Sequence, residues 1–208
     1  MRLAVDPADA GTLYANMEVN GIMRSRDGGE SWEDCSADLL RLAELPHLKS
    51  HILSDNDIEG MLDGHALCAT APGTVIAAQR MGLFRSTDRG AHWEDMEVGR
   101  FSPLRYSRDI RISPHDPNML YACLSVAALS DAGSLYRSAD LGASWQRFDQ
   151  GLTPRSTMMA VALHPRDPDQ VYCTTRNGEV FDTSDGGRSW QSMPLPEGTR
   201  DVYALACG

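Results

Sequence analysis

Ser25-Arg-Asp27-Gly-Gly29-Glu-Ser-Trp32 is a polar run that closes on a large apolar ring. Asp, two glycines and Ser favour a tight turn, because Asp accepts hydrogen bonds from its own turn and Gly takes a positive φ cheaply. The phrase returns as Ser86-Thr-Asp88-Arg-Gly90-Ala-His-Trp93, Ser138-Ala-Asp140-Leu-Gly142-Ala-Ser-Trp145 and Thr183-Ser-Asp185-Gly-Gly187-Arg-Ser-Trp190. All copies fit [ST]-x-D-x-G-x-x-W, and together they use all 4 tryptophans of the chain. Self-similarity of this kind marks a repeat architecture and is read before anything else.

The context repeats as well. Short alternating segments, GIMRS, GLFRS, SLYRS and EVFDT, precede the boxes. Further upstream stand LYANMEV, VIAAQR, LYACLSV and VYCTTR, and before those LAVDPAD, ALCATAP, IRISPHDP and VALHPRDP. Each unit therefore predicts strand, turn, strand, loop, strand, Asp-Gly turn and a last strand beginning at Trp. Four short antiparallel strands per repeat describe the blades of an all-β propeller. The intervals between tryptophans are 61, 52 and 45 residues, so the extra residues fall mainly between the first two boxes.

The expected organisation is a single propeller domain over 1–208. Its blades lie near 1–36, 63–100, 108–150 and 158–196, with an insert at 37–62 that carries a helical turn or short helix in LLRLAELPHL. A C-terminal inner strand is expected over 200–208, RDVYALACG, in addition to four complete blades. That surplus strand predicts a partial or incomplete propeller, closed by upstream blades or by a second copy, because open sheet edges invite pairing.

The box resembles the Asp-box, or bacterial neuraminidase repeat, of propellers in sialidases, sortilin-type receptors, photosystem II assembly factors and xyloglucan-cleaving glycosidases. The resemblance implies that Asp27, Gly29, Trp32, Asp88, Gly90, Trp93, Asp140, Gly142, Trp145, Asp185, Gly187 and Trp190 are structural. In those families the box lies at the blade periphery, away from the binding face. The Ser or Thr adds a side-chain bond across the hairpin, and the Trp buries its ring between blade sheets.

Function has to be sought elsewhere. Residues before each innermost strand line the mouth of a propeller's channel, and Asp63-Gly-His65, Asp109-Ile-Arg111 and Asp201-Val-Tyr203 share one spacing there. Alternation along a strand sends both members of each pair to one face. Arg105, Tyr106, Arg108, Arg155 and Arg200 are close in sequence. One reading is an anion or sugar site, with Arg forks holding the ligand and Asp63, Asp109, Asp201 or Tyr203 as catalytic candidates. The other is a set of Arg–Asp pairs that tie blades together. Sialidases need an arginine triad and a Tyr–Glu pair, and only Arg111-Ile112-Ser113-Pro114 is faintly similar to their FRIP-type motif.

Metal signals are weak. Asp55-Asn-Asp57-Ile-Glu59-Gly60 resembles the opening of a calcium loop, yet Ala66 stands where a bidentate Glu is needed. His47 and His51 have helical spacing without further ligands, and His115 and His164 sit in equivalent turns. No cofactor is expected. A net charge of -10 argues against nucleic acid as a partner, and no apolar run is long enough to span a bilayer. The 5 cysteines, odd in number and irregular in spacing, predict reduced thiols in the cytoplasm. The leading expectation is a scaffold that binds a small-molecule, glycan or protein ligand. A glycosidase and an assembly factor are the alternatives.

Overall fold

The computed structural model describes residues 2–49, 57–70 and 73–208. The chain forms two compact units, 1–98 and 99–208. Each holds two four-stranded antiparallel sheets in which the strands follow one another in chain order.

In the first unit, β1 (Arg2–Asp6), β2 (Asp9–Met17), β3 (Gly21–Ser25) and β4 (Glu33–Asp34) make one blade. The insert then folds as α1 (Ala37–Leu42), a 3-10 turn at Pro46–Leu48 and α2 (Asp57–Leu62). The second blade is β5 (Gly64–Thr70), β6 (Thr74–Gln79), β7 (Gly82–Ser86) and β8 (Glu94–Asp95). Leu39, Leu42 and Leu48 are spaced to put one apolar face inward, so the insert joins the core of Tyr14, Ile22, Met61, Phe84 and Trp93.

The second unit repeats the plan. β9 (Tyr106–Ile112), β10 (Leu120–Ser125), β11 (Gly133–Ser138) and β12 (Gln146–Arg147) form the third blade. β13 (Met158–Leu163), β14 (Val171–Thr175), β15 (Val180–Thr183) and β16 (Gln191–Met193) form the fourth. Tyr121, Cys123, Leu135, Phe148, Met158, Val161 and Phe181 fill the core between them.

Asp201–Gly208 does not form the inner strand expected of it. The segment has no ladder, and its Val202 N–H bonds the Arg176 carbonyl at 3.2 Å. An isolated strand needs a neighbour for its other polar groups, and β14 is already paired on both sides.

The box turns are alike to a tenth of an ångström at their centre. The backbone N–H of Ser31, His92, Ser144 and Ser189 reaches the box Asp Oδ1 at 2.9 Å in all four. The Ser or Thr hydroxyl donates to the same Asp at 2.7–2.8 Å and accepts from the box Gly N–H. It therefore bonds inside its own turn, not across the hairpin as expected, because the Asp two residues on offers a charged acceptor.

Trp93 is buried and donates its indole N–H to the Cys35 carbonyl of the first blade at 2.8 Å. Trp190 does the same toward the Phe148 carbonyl at 3.3 Å. Trp32 is 39% exposed and bonds only its own turn, at Gly29 O.

Candidate functional site

The three Asp-x-(His/Arg/Tyr) pairs are each brought together, but they are not structurally equivalent. The inner strands bulge by one residue, at His65 in β5, Arg108 in β9 and Met159 in β13. Asp63 precedes its bulge and Asp109 follows its own, so the two carboxylates stand at different levels of their blades.

In the first unit Asp63 lies beside His65, with Nε2 at 3.5 Å from Oδ1, and accepts from Arg80 Nη1 at 3.3 Å. Burial pushes its carboxyl up, but the His65 bond and the Arg80 charge outweigh that and hold it below the usual value. An ionised, cation-paired carboxylate is poorly suited to donate a proton at neutral pH. Beneath it, Gly64 has no side chain because Asn16 Oδ1 would stand 1.8 Å from a Cβ. Asn16 uses that space to bond the Ala66 and Ala78 carbonyls, and it accepts from Gln79.

In the second unit Asp109 is 1% exposed. Its oxygens accept from Ile110 N–H at 3.1 Å, from Val161 N–H of the next blade at 3.2 Å and from Arg111 Nε at 3.2 Å. This carboxylate joins two blades. Arg108 Nη1 donates to the buried Tyr106 hydroxyl at 3.3 Å. The exposed Arg105 guanidinium lies against Gly99, where a Cβ would stand 2.7 Å from Nε.

Asp201 and Tyr203 converge on a residue that the sequence reading missed. Arg176 donates to the Tyr203 hydroxyl at 3.0 Å, stacks over its ring at 5.4 Å and lies 3.5 Å from Asp201. Arg155 pairs with Glu179 through Nε at 3.1 Å and through its backbone N–H at 2.9 Å. Beside them opens a cleft of about 490 Å³, lined by Leu129, Ser130, Asp131, Arg155, Arg176 and Asn177 among others. Its β10–β11 loop is pinned from below: the buried Thr157 hydroxyl meets the carbonyls of Ala127 and Ala128 at 3.1 Å, and Arg176 also reaches Ala128. Leu129 is thereby held 75% exposed at the rim. Arg200 is exposed and outside the cleft lining. A signal for Arg176 existed, since VIAAQR and VYCTTR end on the same residue type, and Arg80 and Arg176 each grip an Asp.

The remaining metal candidates take other roles. His47 bonds Asp95 at 2.9 Å, and His115 bonds the His164 carbonyl at 2.9 Å, linking two turns. His51, Asp55 and Asn56 lie outside the described residues, and among the described residues no cluster of three metal-ligating side chains occurs.

Four-stranded meander blades with an Asp-box turn in each give this chain a β-propeller fold, with four blades among the described residues. The family model described as Sortilin-Vps10 (sortilin, neurotensin receptor 3) matches residues 133–206. A vacuolar protein sorting/targeting protein 10 of Colletotrichum graminicola is 36% identical over 60 residues, covering 29% of this chain and 4% of that protein. A probable oligoxyloglucan-reducing end-specific xyloglucanase of Neosartorya fischeri is 25% identical over 135 residues, covering 56% of this chain and 16% of the relative. The crystal structure of an ancestral GH74 enzyme superposes with a TM-score of 0.68 at 19% identity, covering 94% of this chain and 24% of that one. The chain thus spans a quarter or less of the length of each of these three proteins.

Proposed function

We propose that this chain is a non-catalytic binding scaffold that takes a carbohydrate ligand in the cleft around Arg155, Arg176 and Asn177. One observation carries the proposal. The cleft gathers two guanidinium groups, an amide, hydroxyls, an exposed leucine on a pinned loop and a single carboxylate, Asp131, while Asp63, Asp109, Asp201 and Glu179 are each already paired with an arginine. Sugars are held by such mixtures of polar forks and apolar platform. The likeness to a xyloglucanase supports a glycan ligand. Cytoplasmic residence belongs to the same proposal, supported by cysteines that form no disulfide, of which Cys35, Cys123 and Cys173 are buried.

The test is calorimetric titration with xyloglucan oligosaccharides alongside a screen of fluorogenic glycosides. Saturable binding that falls at least tenfold in Arg155→Ala and Asn177→Ala, without turnover, is the expected result. Turnover that disappears in Asp131→Asn would replace the scaffold reading with a glycosidase. No binding to any glycan would remove the carbohydrate assignment.

A further inference from the structure

The two units treat one position in opposite ways. In the first, Tyr14 and Arg24 face each other across β2 and β3. The buried Asp6 carboxylate accepts from the Tyr14 hydroxyl at 3.3 Å and from Arg89 Nε at 3.1 Å. Arg24 Nε donates to Glu33, its cross-strand neighbour, at 2.8 Å, and Arg24 also bonds the Arg89 carbonyl. Two carboxylates and the Arg89 side chain thus answer every charge and fill the space. The second blade keeps half of the pattern, with Arg85 opposite Glu94 and paired to it at 2.7 Å.

In the second unit the same register places Tyr121 opposite Arg137. Three neighbours have changed. Gln146 replaces the acid opposite the arginine. Ser113 stands where Asp6 does, two residues beyond the partner of the tyrosine. Gly186 follows the box Asp where Arg89 does. Each change removes a charge, and the last leaves space.

The result is a cavity of about 320 Å³ lined by Ser113, His115, Tyr121, Arg137, Asp169 and Arg188, among others. Arg137 lies over the Phe148 ring at 4.6 Å, and its Nε is buried without a hydrogen-bond partner. Among the described residues Arg137 has no ion pair. A guanidinium N–H buried without an acceptor is costly, and an incoming acceptor oxygen relieves that cost.

We propose that this slot binds a small monocarboxylate, whose oxygens engage Arg137, Tyr121 and Ser113. A guanidinium prefers the planar fork of a carboxylate. Asp116, Asp169 and Asp185 also line the cavity, and their charges repel a dianion about twice as strongly as a monoanion, which disfavours phosphate and sulfate. The volume is at the small end for ligand sites, roughly 300–1,000 Å³.

The whole chain, ¹⁵N-labelled, is titrated with acetate against chloride at constant ionic strength. Saturable shifts should appear at the amides of Ser113, His115, Tyr121 and Gly186. Ser113→Asp supplies the carboxylate from within, and Gln146→Glu pairs Arg137 from the neighbouring strand. Each should weaken acetate binding at least tenfold while melting at or above the wild-type temperature, so misfolding does not explain the loss. Arg137→Gln should abolish binding. Shifts that do not saturate, or an acetate affinity unchanged in Ser113→Asp, would overturn the site. Phosphate binding as tightly as acetate would overturn the carboxylate assignment.

Discussion

At the scale of the residue, the box is a carboxylate wrapped in donors, and its four copies differ at one informative position. Ser31, Ser144 and Ser189 donate a hydroxyl to the box Asp Oδ2, whereas box two presents His92, with Nδ1 at 2.6 Å. The bond to Asp88 and the carboxylate charge raise the His92 pKa above its ordinary value. A raised histidine stabilises the fold fully below its unfolded pKa of about 6.5 and loses that contribution as pH rises through the folded value. Box two should therefore weaken from mildly acidic to alkaline pH while the other boxes do not. His92→Ser restores the common form, so the urea midpoint of the wild type relative to this variant should fall between pH 6 and pH 9. A difference that is flat across that range would show that the imidazole adds no charge-dependent stability.

At the scale of the element, stability depends on what each blade lends its neighbour. Trp93 is 3% exposed and bonds the blade before it, so Trp93→Ala should cost about 3–5 kcal/mol of unfolding free energy. Trp32 has the same motif position but bonds only its own turn, and Trp32→Ala should cost about 1 kcal/mol or less. Equal losses in chemical denaturation would show that the tryptophan acts within its turn and not between blades. Gly64→Ala forces a Cβ onto Asn16 Oδ1 and disturbs the bonds of Asn16 to Ala66 and Ala78, which predicts a loss of about 1–3 kcal/mol by the same measurement. The boxes and blade order were legible in the sequence because turn chemistry is local. The orientation of Asp63 and Asp109 was not, because a one-residue bulge exchanges the faces of a strand and no residue type announces it. His65, Arg108 and Met159, the bulged residues, have nothing chemical in common. The pairing of Arg155 with Glu179 was hidden for another reason: it joins residues 24 apart in sequence across two loops.

At the scale of the whole molecule, two effects compete to place the pH of greatest stability. A net charge of -10 at pH 7 gives self-repulsion that is relieved toward the isoelectric point near 4.9. Proton linkage acts the other way. Hydrogen bonds from Ser31 and Ser189 pull the Asp27 and Asp185 carboxyls down to about 2, and Asp88, whose burial is outweighed by its His92 bonds, also falls to about 2. Asp140 and Asp38 are lowered too, chiefly by bonds from Ser144 and Arg41. Depressed carboxylates stabilise the fold above their unfolded pKa of about 4 and lose that contribution as pH falls through the folded value. On the alkaline side, burial pushes the Tyr14 phenol up to about 12 and raises the thiols of Cys35, Cys123 and Cys173. These groups stay neutral in the fold while the unfolded chain ionises, so stability declines from about pH 8.5 upward. Surface repulsion is screened beyond about 8 Å at 0.15 M salt, whereas the box bonds and buried groups act at contact. Linkage should win, giving a broad plateau of the urea midpoint between about pH 5 and pH 8, tilted only by His92, with a steep loss below pH 4. The same series in 0.05 and 0.5 M salt separates the two effects. A sharp maximum at the isoelectric point that flattens at high salt would mean that net repulsion, and not the four wrapped carboxylates, sets the pH response of this propeller.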